Sequence, residues 1–500
     1  EGDSGTKVLT YTIALDSAAD GDVVVNYATI NTGADKGTAD SDDDYQAAAG
    51  TVTVASGQTE ATVDITILGD TDYEGDETVK VTFSGTRINS PVTATGTITE
   101  NDADPDTVSQ TLVLTTSVDD GADFIGKGVG DTFDASLADS WNNNDVLDGG
   151  EGTDTLDATI ATTTSPGTRT FEANTTSIEV FNITVTPVGG NDTNAAVIDF
   201  ENVVADSLSI TNIGSSNENL TINNLAQLPT YNLNTHSGDT TLTFQDSGLT
   251  STTDDLVINL DGAETLSTIT LGKSAGSDTE AIETVSFVSG SVANTLTSFT
   301  TTDVSTSTVE VTGDTNLSIV AALSAGVTHV SASTFTADLR VTTDTGSTAA
   351  STIEGGTGND TLLSLGAGAD SIVGGSGNDS IEAGNGADTL IGGLGADTID
   401  GEGGNDYIDS GAGADRITTG TGDVVVTSGT GADTIIASTG TMSLVGGSGA
   451  DLITIGATLD ATDVVTGGSD SDTLEITGTV DFSGAAVVGV SGIDVISIKD

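Results

Sequence analysis

The chain contains no cysteine. Disulfides, thiol nucleophiles and thiolate metal sites are therefore excluded, and any cross-link must come from elsewhere. Histidine is nearly absent: His236 and His329 stand far apart. Neither has a metal-ligand partner at a usual spacing, so both read as ordinary surface or strand residues. Two distant histidines cannot build the H-E-x-x-H of a zinc protease, and no G-x-S-x-G accompanied by an acid and a histidine is found. The chain is expected not to be an enzyme. Basic residues number 10 against 76 acidic ones. Nucleic acid and anionic lipid both need basic patches, so neither is expected as a partner. No apolar run reaches the roughly 20 residues of a membrane-spanning helix.

What remains is acidic, rich in glycine and poor in helix signals. The formal net charge is −66, and such a charge repels itself in any compact state. Its natural partner is a cation, and oxygen-rich carboxylate sites favour calcium. The apolar residues fall in short alternating runs of Val, Ile and Thr, which are strand signals. The fold class expected is all-β.

Over residues 1–104, strand-like runs recur at Val8–Leu15, Val23–Ala28, Thr51–Val54, Ala61–Leu68, Thr78–Phe83 and Thr93–Thr99. The turns between them suit an antiparallel sandwich. The acidic segment Asn101-Asp-Ala-Asp-Pro-Asp106 reads as a linker. Residues 105–350 are rich in Thr, Ser and Asn, with apolar pairs such as Leu208/Ile210 and Leu220/Ile222. They read as short strands stacked in a solenoid, with one isolated nonapeptide at 149–157 that lacks a partner two nonapeptides away. Trp141 reads as a packing residue. Residues 351–475 form a repeat region, and 476–500 read as the start of a further β-repeat. Ser177-Ile-Glu-Val-Phe-Asn-Ile183, Ala281-Ile-Glu-Thr-Val-Ser-Phe287 and Gly492-Ile-Asp-Val-Ile-Ser-Ile498 are related strands. The last ends two residues before the end of the chain, and the first residue is Glu1 rather than Met. A mature form or a fragment is expected, with a C-terminus that reads as cut.

The sharpest signal is a nonapeptide, G-G-x-G-x-D-x-U-x, in which U is a large apolar residue. Gly355-Gly-Thr-Gly-Asn-Asp360-Thr-Leu362, Gly374-Gly-Ser-Gly-Asn-Asp379-Ser-Ile381 and Gly392-Gly-Leu-Gly-Ala-Asp397-Thr-Ile399 fit it. Looser copies end in Asp370, Asp388, Asp406, Asp415, Asp433, Asp451 and Asp472, and the isolated one ends in Asp154. Glycine permits the sharp turn that aims backbone carbonyls at one ion, and the aspartate adds a carboxylate. Two nonapeptides make one coil, with a turn on each edge. Asp379, Asp397, Asp415, Asp433 and Asp451 recur at that double interval along one edge, and Asp370, Asp388 and Asp406 along the other. The next two places on that second edge hold Val424 and Met442. The inward positions continue through Val426 and Leu444, so the coil should persist while one edge loses its ions.

This segment resembles the RTX, or haemolysin-type, calcium-binding repeats. The resemblance implies a parallel β-roll, several calcium ions, export by type I secretion and folding outside the cell. Residues 1–104 look like a Calx-β domain. The matching features are Glu1-Gly2, Asp44-Tyr45 before Gly50-Thr-Val-Thr-Val54, Asp70-Thr-Asp-Tyr-Glu-Gly-Asp-Glu77 and Thr95-Gly-Thr-Ile-Thr-Glu-Asn-Asp102. That resemblance implies an immunoglobulin-like sandwich with calcium held by Glu1, Asp44, Asp70, Glu74, Glu77, Glu100 and Asp102, and by the Asp72 carbonyl. Gly69 and Asn101 stand where calcium-binding members carry acids, which implies fewer ions or none. The middle region resembles Thr/Ser-rich solenoids of bacterial S-layer proteins and giant adhesins. Together these imply a calcium-dependent structural protein outside a Gram-negative cell. Its expected partners are itself, in a lattice or fibre, and cell-surface polysaccharide. A stalk of a large adhesin and the non-catalytic part of a secreted RTX enzyme are the other readings.

Overall fold

The computed structural model describes residues 5–30, 44–69, 77–88, 90–99, 109–117, 119, 124–138, 140–143, 145–161, 168–186, 195–205, 207–213, 219–234, 238–245, 249, 254–261, 267–274, 282–302, 305–343, 348–456, 459, 461–477 and 489–499. Two compact units emerge: residues 1–109 with 127–129, and residues 110–126 with 130–500.

In the first unit, all six expected strands form. Gly5–Ala14 pairs antiparallel with Glu60–Gly69. The other four lie in the order Ala49–Val54, Val23–Ile30, Glu77–Ser84 and Val92–Ile98, also antiparallel. Alternation sets the inner face. Val63, Ile65 and Ile67 alternate along one strand, and Val79, Val81 and Phe83 along another; all six are buried in one cluster with Tyr11 and Tyr45. Threonines between them face outward, as period-two strands require.

The second unit is a solenoid of parallel strands in two long sheets, with a short third sheet pairing Asn385–Gly386 with Gly403–Gly404. One ladder runs from Thr111–Val113 through Thr132–Ala135 and Thr155–Ala161 to Val490–Ser491. The other runs from Leu147–Asp148 through Thr168–Thr176 to Val495–Ile498. After the first pair, each strand of the two ladders pairs with the strand one coil away rather than with its chain neighbour. The 149–157 nonapeptide therefore sits inside the same ladder as the repeat region. The expected boundary at 350 has no counterpart in the sheets: His329 pairs with Thr352, and Thr352 with Ser371. Residues 476–500, expected to open a further repeat, supply one more coil to both ladders.

Coil length varies along this ladder. Asn182 bonds to Asp157, 25 residues back on the neighbouring strand, and Asp254 to Glu283, 29 residues on. Asp370, Asp388 and Asp406 then follow one another at intervals of 18. The core follows the coil length. Long coils enclose Phe133, Trp141, Phe181, Phe200, Tyr231, Phe244, Phe287, Phe299 and Phe335, all buried. Trp141 packs on Phe181 with ring centroids 6.1 Å apart, as expected of a packing residue. The short coils have room only for paired aliphatics such as Ile372 with Ile381 and Leu390 with Ile399. The turns explain the glycines there. Gly393 has φ +113, and a Cβ on it would meet the Gly375 carbonyl oxygen one coil away. Only glycine fits both demands.

Candidate metal centres

Every nonapeptide aspartate ends a turn and leads into an inward Ile or Leu, so the chain's period carries it to the same place in each coil. The ladder is made by hydrogen bonds. The Asp360 N–H donates to Asp379 Oδ1 at 2.7 Å, Asp379 to Asp397 at 2.8 Å, and Asp397 to Asp415 at 2.8 Å. Asp415 continues to Asp433 at 2.9 Å and Asp433 to Asp451 at 2.9 Å. Asp451 then donates to Asp472 at 3.0 Å and Asp472 to Asp494 at 3.1 Å. On the other edge Asp370 donates to Asp388 at 2.7 Å and Asp388 to Asp406 at 3.0 Å.

Each carboxylate thus spends one oxygen on the backbone of its neighbour coil. The second oxygens of Asp379, Asp388, Asp397, Asp406, Asp451 and Asp472 are buried and accept no hydrogen bond. A buried acceptor left alone is costly. The surroundings of several of these oxygens are uniform. Asp397 Oδ2 lies 2.5 Å from where a Gly392 Cβ would stand, and the Ser410 carbonyl oxygen of the next coil also lies 2.5 Å from that point. Gly374, Gly446 and Gly467 repeat this pairing of a carboxylate oxygen with a neighbour-coil carbonyl. Oxygen-only donors, few carboxylates and convergent carbonyls suit a hard cation. Among the described residues no three acidic or imidazole side chains group as a metal site. Backbone carbonyls must therefore supply most ligands.

Two loops differ. Ser410 and Ser428 take the place of the first glycine before Asp415 and Asp433. Their hydroxyls donate to the next coil's carbonyls, Ser410 to Ser428 at 2.9 Å and Ser428 to Gly446 at 2.6 Å. On the opposite edge Val424 pairs with Asp406 and Met442 with Val424, as the register predicts. Both apolar side chains are buried, so the coil does persist there. Exposed polar rungs replace the buried ones: Asn405 Oδ1 accepts from the Asp423 N–H at 3.0 Å, and Asp423 from Thr441 at 2.8 Å. The buried ladder then resumes at Asp463, whose Oδ1 accepts from the Met442 N–H at 3.0 Å.

Asp463 and Asp494 were missed because a fixed interval of two nonapeptides cannot find coils of 21 and 22 residues. The same limit hid the partners of Asp154. Its N–H donates to Glu179 at 2.9 Å, and its Oδ1 accepts from Asp131 at 2.6 Å. The nonapeptide at 149–157 is thus not isolated, which corrects the sequence expectation: the partners of Asp154 lie 25 residues ahead and 23 behind.

In the first unit, Asp44 is buried, and its carbonyl accepts from the Leu68 N–H at 2.8 Å. Glu77 opens the strand Glu77–Ser84 and pairs with Ile98. Glu1, Asp70, Asp72, Glu74, Glu100 and Asp102 lie outside the described residues, as does His236. His329 is half-buried on a strand.

Burial raises several ladder carboxyls. Asp379 is pushed up to about 7, chiefly by desolvation and then by Asp360 and Asp397. Asp388, Asp397 and Asp451 are raised to about 6, again mainly by burial. These folded-state values lie above the ordinary carboxylate value of about 3.9. Between about 4 and about 7 the metal-free fold therefore binds more protons than the unfolded chain, and its stability falls as pH rises through that window. Calcium-stripped protein is expected to resist urea better near pH 5 than near pH 8. Calcium affinity should move the opposite way, because binding needs ionised carboxylates. Urea melts of stripped protein at the two pH values check this; equal midpoints would contradict it.

Fold and site together define a calcium-binding, β-rich protein. Comparison with family models places this more closely. The "Calx-beta domain" model matches residues 3–102. The "RTX calcium-binding nonapeptide repeat (4 copies)" model matches 142–159, 345–381, 364–399, 382–417 and 409–441. The chain carries a Calx-β domain followed by RTX repeats, and multiple calcium ions go with the latter. Both are calcium-binding rather than catalytic families. No curated protein matches the chain. Among solved structures it is similar to "Crystal structure of Calx CBD2 domain", with 30% identity, 15% of this chain, 44% of that one and a TM-score of 0.14. It is also similar to "Crystal structure of calcium binding domain CBD12 of CALX1.1", with 20% identity, 22% of this chain, 48% of that one and a TM-score of 0.17. The chain spans less than half the length of either. No helix among the described residues is long and apolar enough to cross a membrane.

Proposed function

We propose that this chain is a calcium-dependent structural protein of a bacterial surface, part of an S-layer or a similar coat. The observation that carries the reading is the buried carboxylate ladder inside a solenoid with no break at residue 350. Eighteen strands stack in one ladder among the described residues. At roughly 4.8 Å per step they extend about 80 Å. A long rod cross-linked by an external ion suits a load-bearing element. Export unfolded through a type I channel, with folding where calcium is plentiful, suits a chain of net charge −66 that repels itself without the ion. Its partners in this reading are further copies of itself and cell-surface polysaccharide, on a Gram-negative cell. The stalk of a large adhesin is the second reading, favoured by the same rod.

Electron microscopy of the native cell surface separates the two: an ordered sheet is expected, whereas isolated fibres would support a stalk. Chelation is expected to release intact protein from cells. Protein that stays attached through prolonged chelation would rule out calcium-dependent anchoring.

A further inference from the structure

We propose that the groove around Tyr407, on the outer face of the roll, binds a neutral polysaccharide. The proposal deepens the coat reading and rests on it for the source of the glycan. It names the surface that meets cell-surface polysaccharide.

Three observations meet there. First, a groove is built where the buried carboxylate row breaks. Thr389, Tyr407, Val425 and Ser443 stand in register on consecutive strands of one sheet, about 14 Å end to end at roughly 4.8 Å per step. With Asn405 and Asp423 they line a groove of about 440 Å³, inside the range of about 300–1,000 Å³ usual for ligand sites. Second, its floor is apolar surface that the solenoid leaves uncovered. Tyr407 is 44% exposed and Val425 45%. Tyr407 is the only exposed aromatic side chain among the described residues. The equivalent column on the other sheet runs Thr398, Arg416, Thr434, with no ring and with a cation. Third, the rim carries oriented polar groups. Where Val424 and Met442 take the buried places, the rungs move to the surface. Asn405 Oδ1 and Asp423 Oδ1 each accept a backbone N–H, at 3.0 and 2.8 Å. Those bonds fix both side chains and leave the Asn405 amide nitrogen to donate and Asp423 Oδ2 to accept.

An apolar ring beside an amide, a carboxylate and hydroxyls matches a pyranose, which has an apolar C–H face and a hydroxyl edge. Tyrosine offers the same pairing of apolar body and polar tip. The repeat of the coil suits a repeating ligand: Asn405, Asp423 and Thr441 recur one coil apart on the rim, so a linear polymer can be met at successive steps. Charge narrows the class. No basic residue lines the groove, and Asp409 lies two residues beyond Tyr407 on the same face, so a uronic-acid or phosphate-bearing polymer is repelled. A second copy of the chain is disfavoured for the same reason, since it would bring its own net charge of −66.

The experiment titrates the calcium-loaded chain by calorimetry with dextran, mannan, laminarin and cellohexaose, and with polygalacturonate as the anionic control. Tyr407→Ala and Tyr407→Phe are compared with the unaltered chain. Circular dichroism and calcium counts confirm that both variants fold. Saturable binding of at least one neutral glycan, and none of polygalacturonate, is expected. Tyr407→Ala should weaken it by about tenfold or more, as loss of an aromatic anchor does. Tyr407→Phe keeps the ring and should stay within about threefold, the loss of one hydrogen bond. Binding of none of the neutral glycans overturns the proposal, and so does binding indifferent to Tyr407→Ala. Self-association in sedimentation that Tyr407→Ala abolishes would give the face to a second copy and overturn it too. Each of these failures leaves the coat reading standing, because microscopy of the cell surface tests that separately. A chain absent from that surface removes the coat reading, while glycan binding lost on Tyr407→Ala would still assign the groove.

Discussion

Removing calcium from the chain is expected to unfold the coils between Thr352 and Ile455, the largest single effect foreseen for this molecule. Each short coil buries few large side chains; Ile372 with Ile381 and Leu390 with Ile399 are typical pairs. Fully buried, such a side chain contributes about 1.5–3 kcal/mol. Ordering the backbone opposes this by about 1–2 kcal/mol per residue, and the coils are dense in glycine, which loses most. The ladder then adds repulsion. Ionised carboxylates one coil apart, at roughly 4.8 Å, repel by about 3–4 kcal/mol per adjacent pair at an effective dielectric of 20. Metal-free protein escapes part of this by keeping carboxyls protonated: burial first, and the neighbouring carboxylates after it, push Asp379 up to about 7. At pH 8 that escape is closed.

The longer coils upstream should respond less. They bury aromatics such as Phe287 on Phe299, edge to face with ring centroids 5.2 Å apart, and depend less on the ion. Chelation followed by hydrogen exchange is expected to show protection lost over residues 352–455 and retained over much of 195–343. Uniform retention across both regions would mean that calcium is not what holds the roll.

That contrast also marks what could be read from the chain alone. The nonapeptide period placed Asp379, Asp397, Asp415, Asp433 and Asp451 on one edge, and their rungs form as the spacing demands. It worked because glycine turns fix coil length there: the backbone passes so close to its neighbour that inserted residues have nowhere to go. In the Thr/Ser-rich coils, closure depends on a column of Phe, Tyr and Trp inside, and the turns are free to lengthen. Facing residues on successive strands there stand 21, 27 and 29 residues apart, and no fixed spacing links Asp131 to Asp154, or Asp154 to Glu179. The kinship of the Ile-Glu and Ile-Asp strands was visible in sequence. Their common role was not: Glu179, Glu283 and Asp494 each accept the N–H of an aspartate one coil earlier.

Unequal edges should make equal substitutions unequal. Asp415 accepts from the Asp397 N–H and donates its own N–H to Asp433, at 2.8 and 2.9 Å. It therefore stands in the middle of a ladder running unbroken from Asp360 to Asp494. The facing edge of the next coil offers Val424, so nothing there can take over. Asp406 is the last carboxylate before that break. It accepts from Asp388 at 3.0 Å, but its own N–H goes to the Asp423 carbonyl at 3.0 Å. Asp415→Ala deprives the Asp397 N–H of its acceptor and takes a ligand from the space on either side. Asp406→Ala deprives one N–H and takes a ligand from one terminal space. Each buried group left unsatisfied costs about 1–3 kcal/mol. Asp415→Ala is therefore expected to lose about twice the stability of Asp406→Ala in saturating calcium and to bind fewer ions. Ser410 tempers the difference without removing it: its hydroxyl already serves the Ser428 carbonyl and cannot replace a charge. Urea melts in calcium, paired with calcium counts, decide the matter. Equal losses of stability and of bound calcium would mean that the two edges carry the same load, and that Val424 and Met442 do not interrupt the ion row.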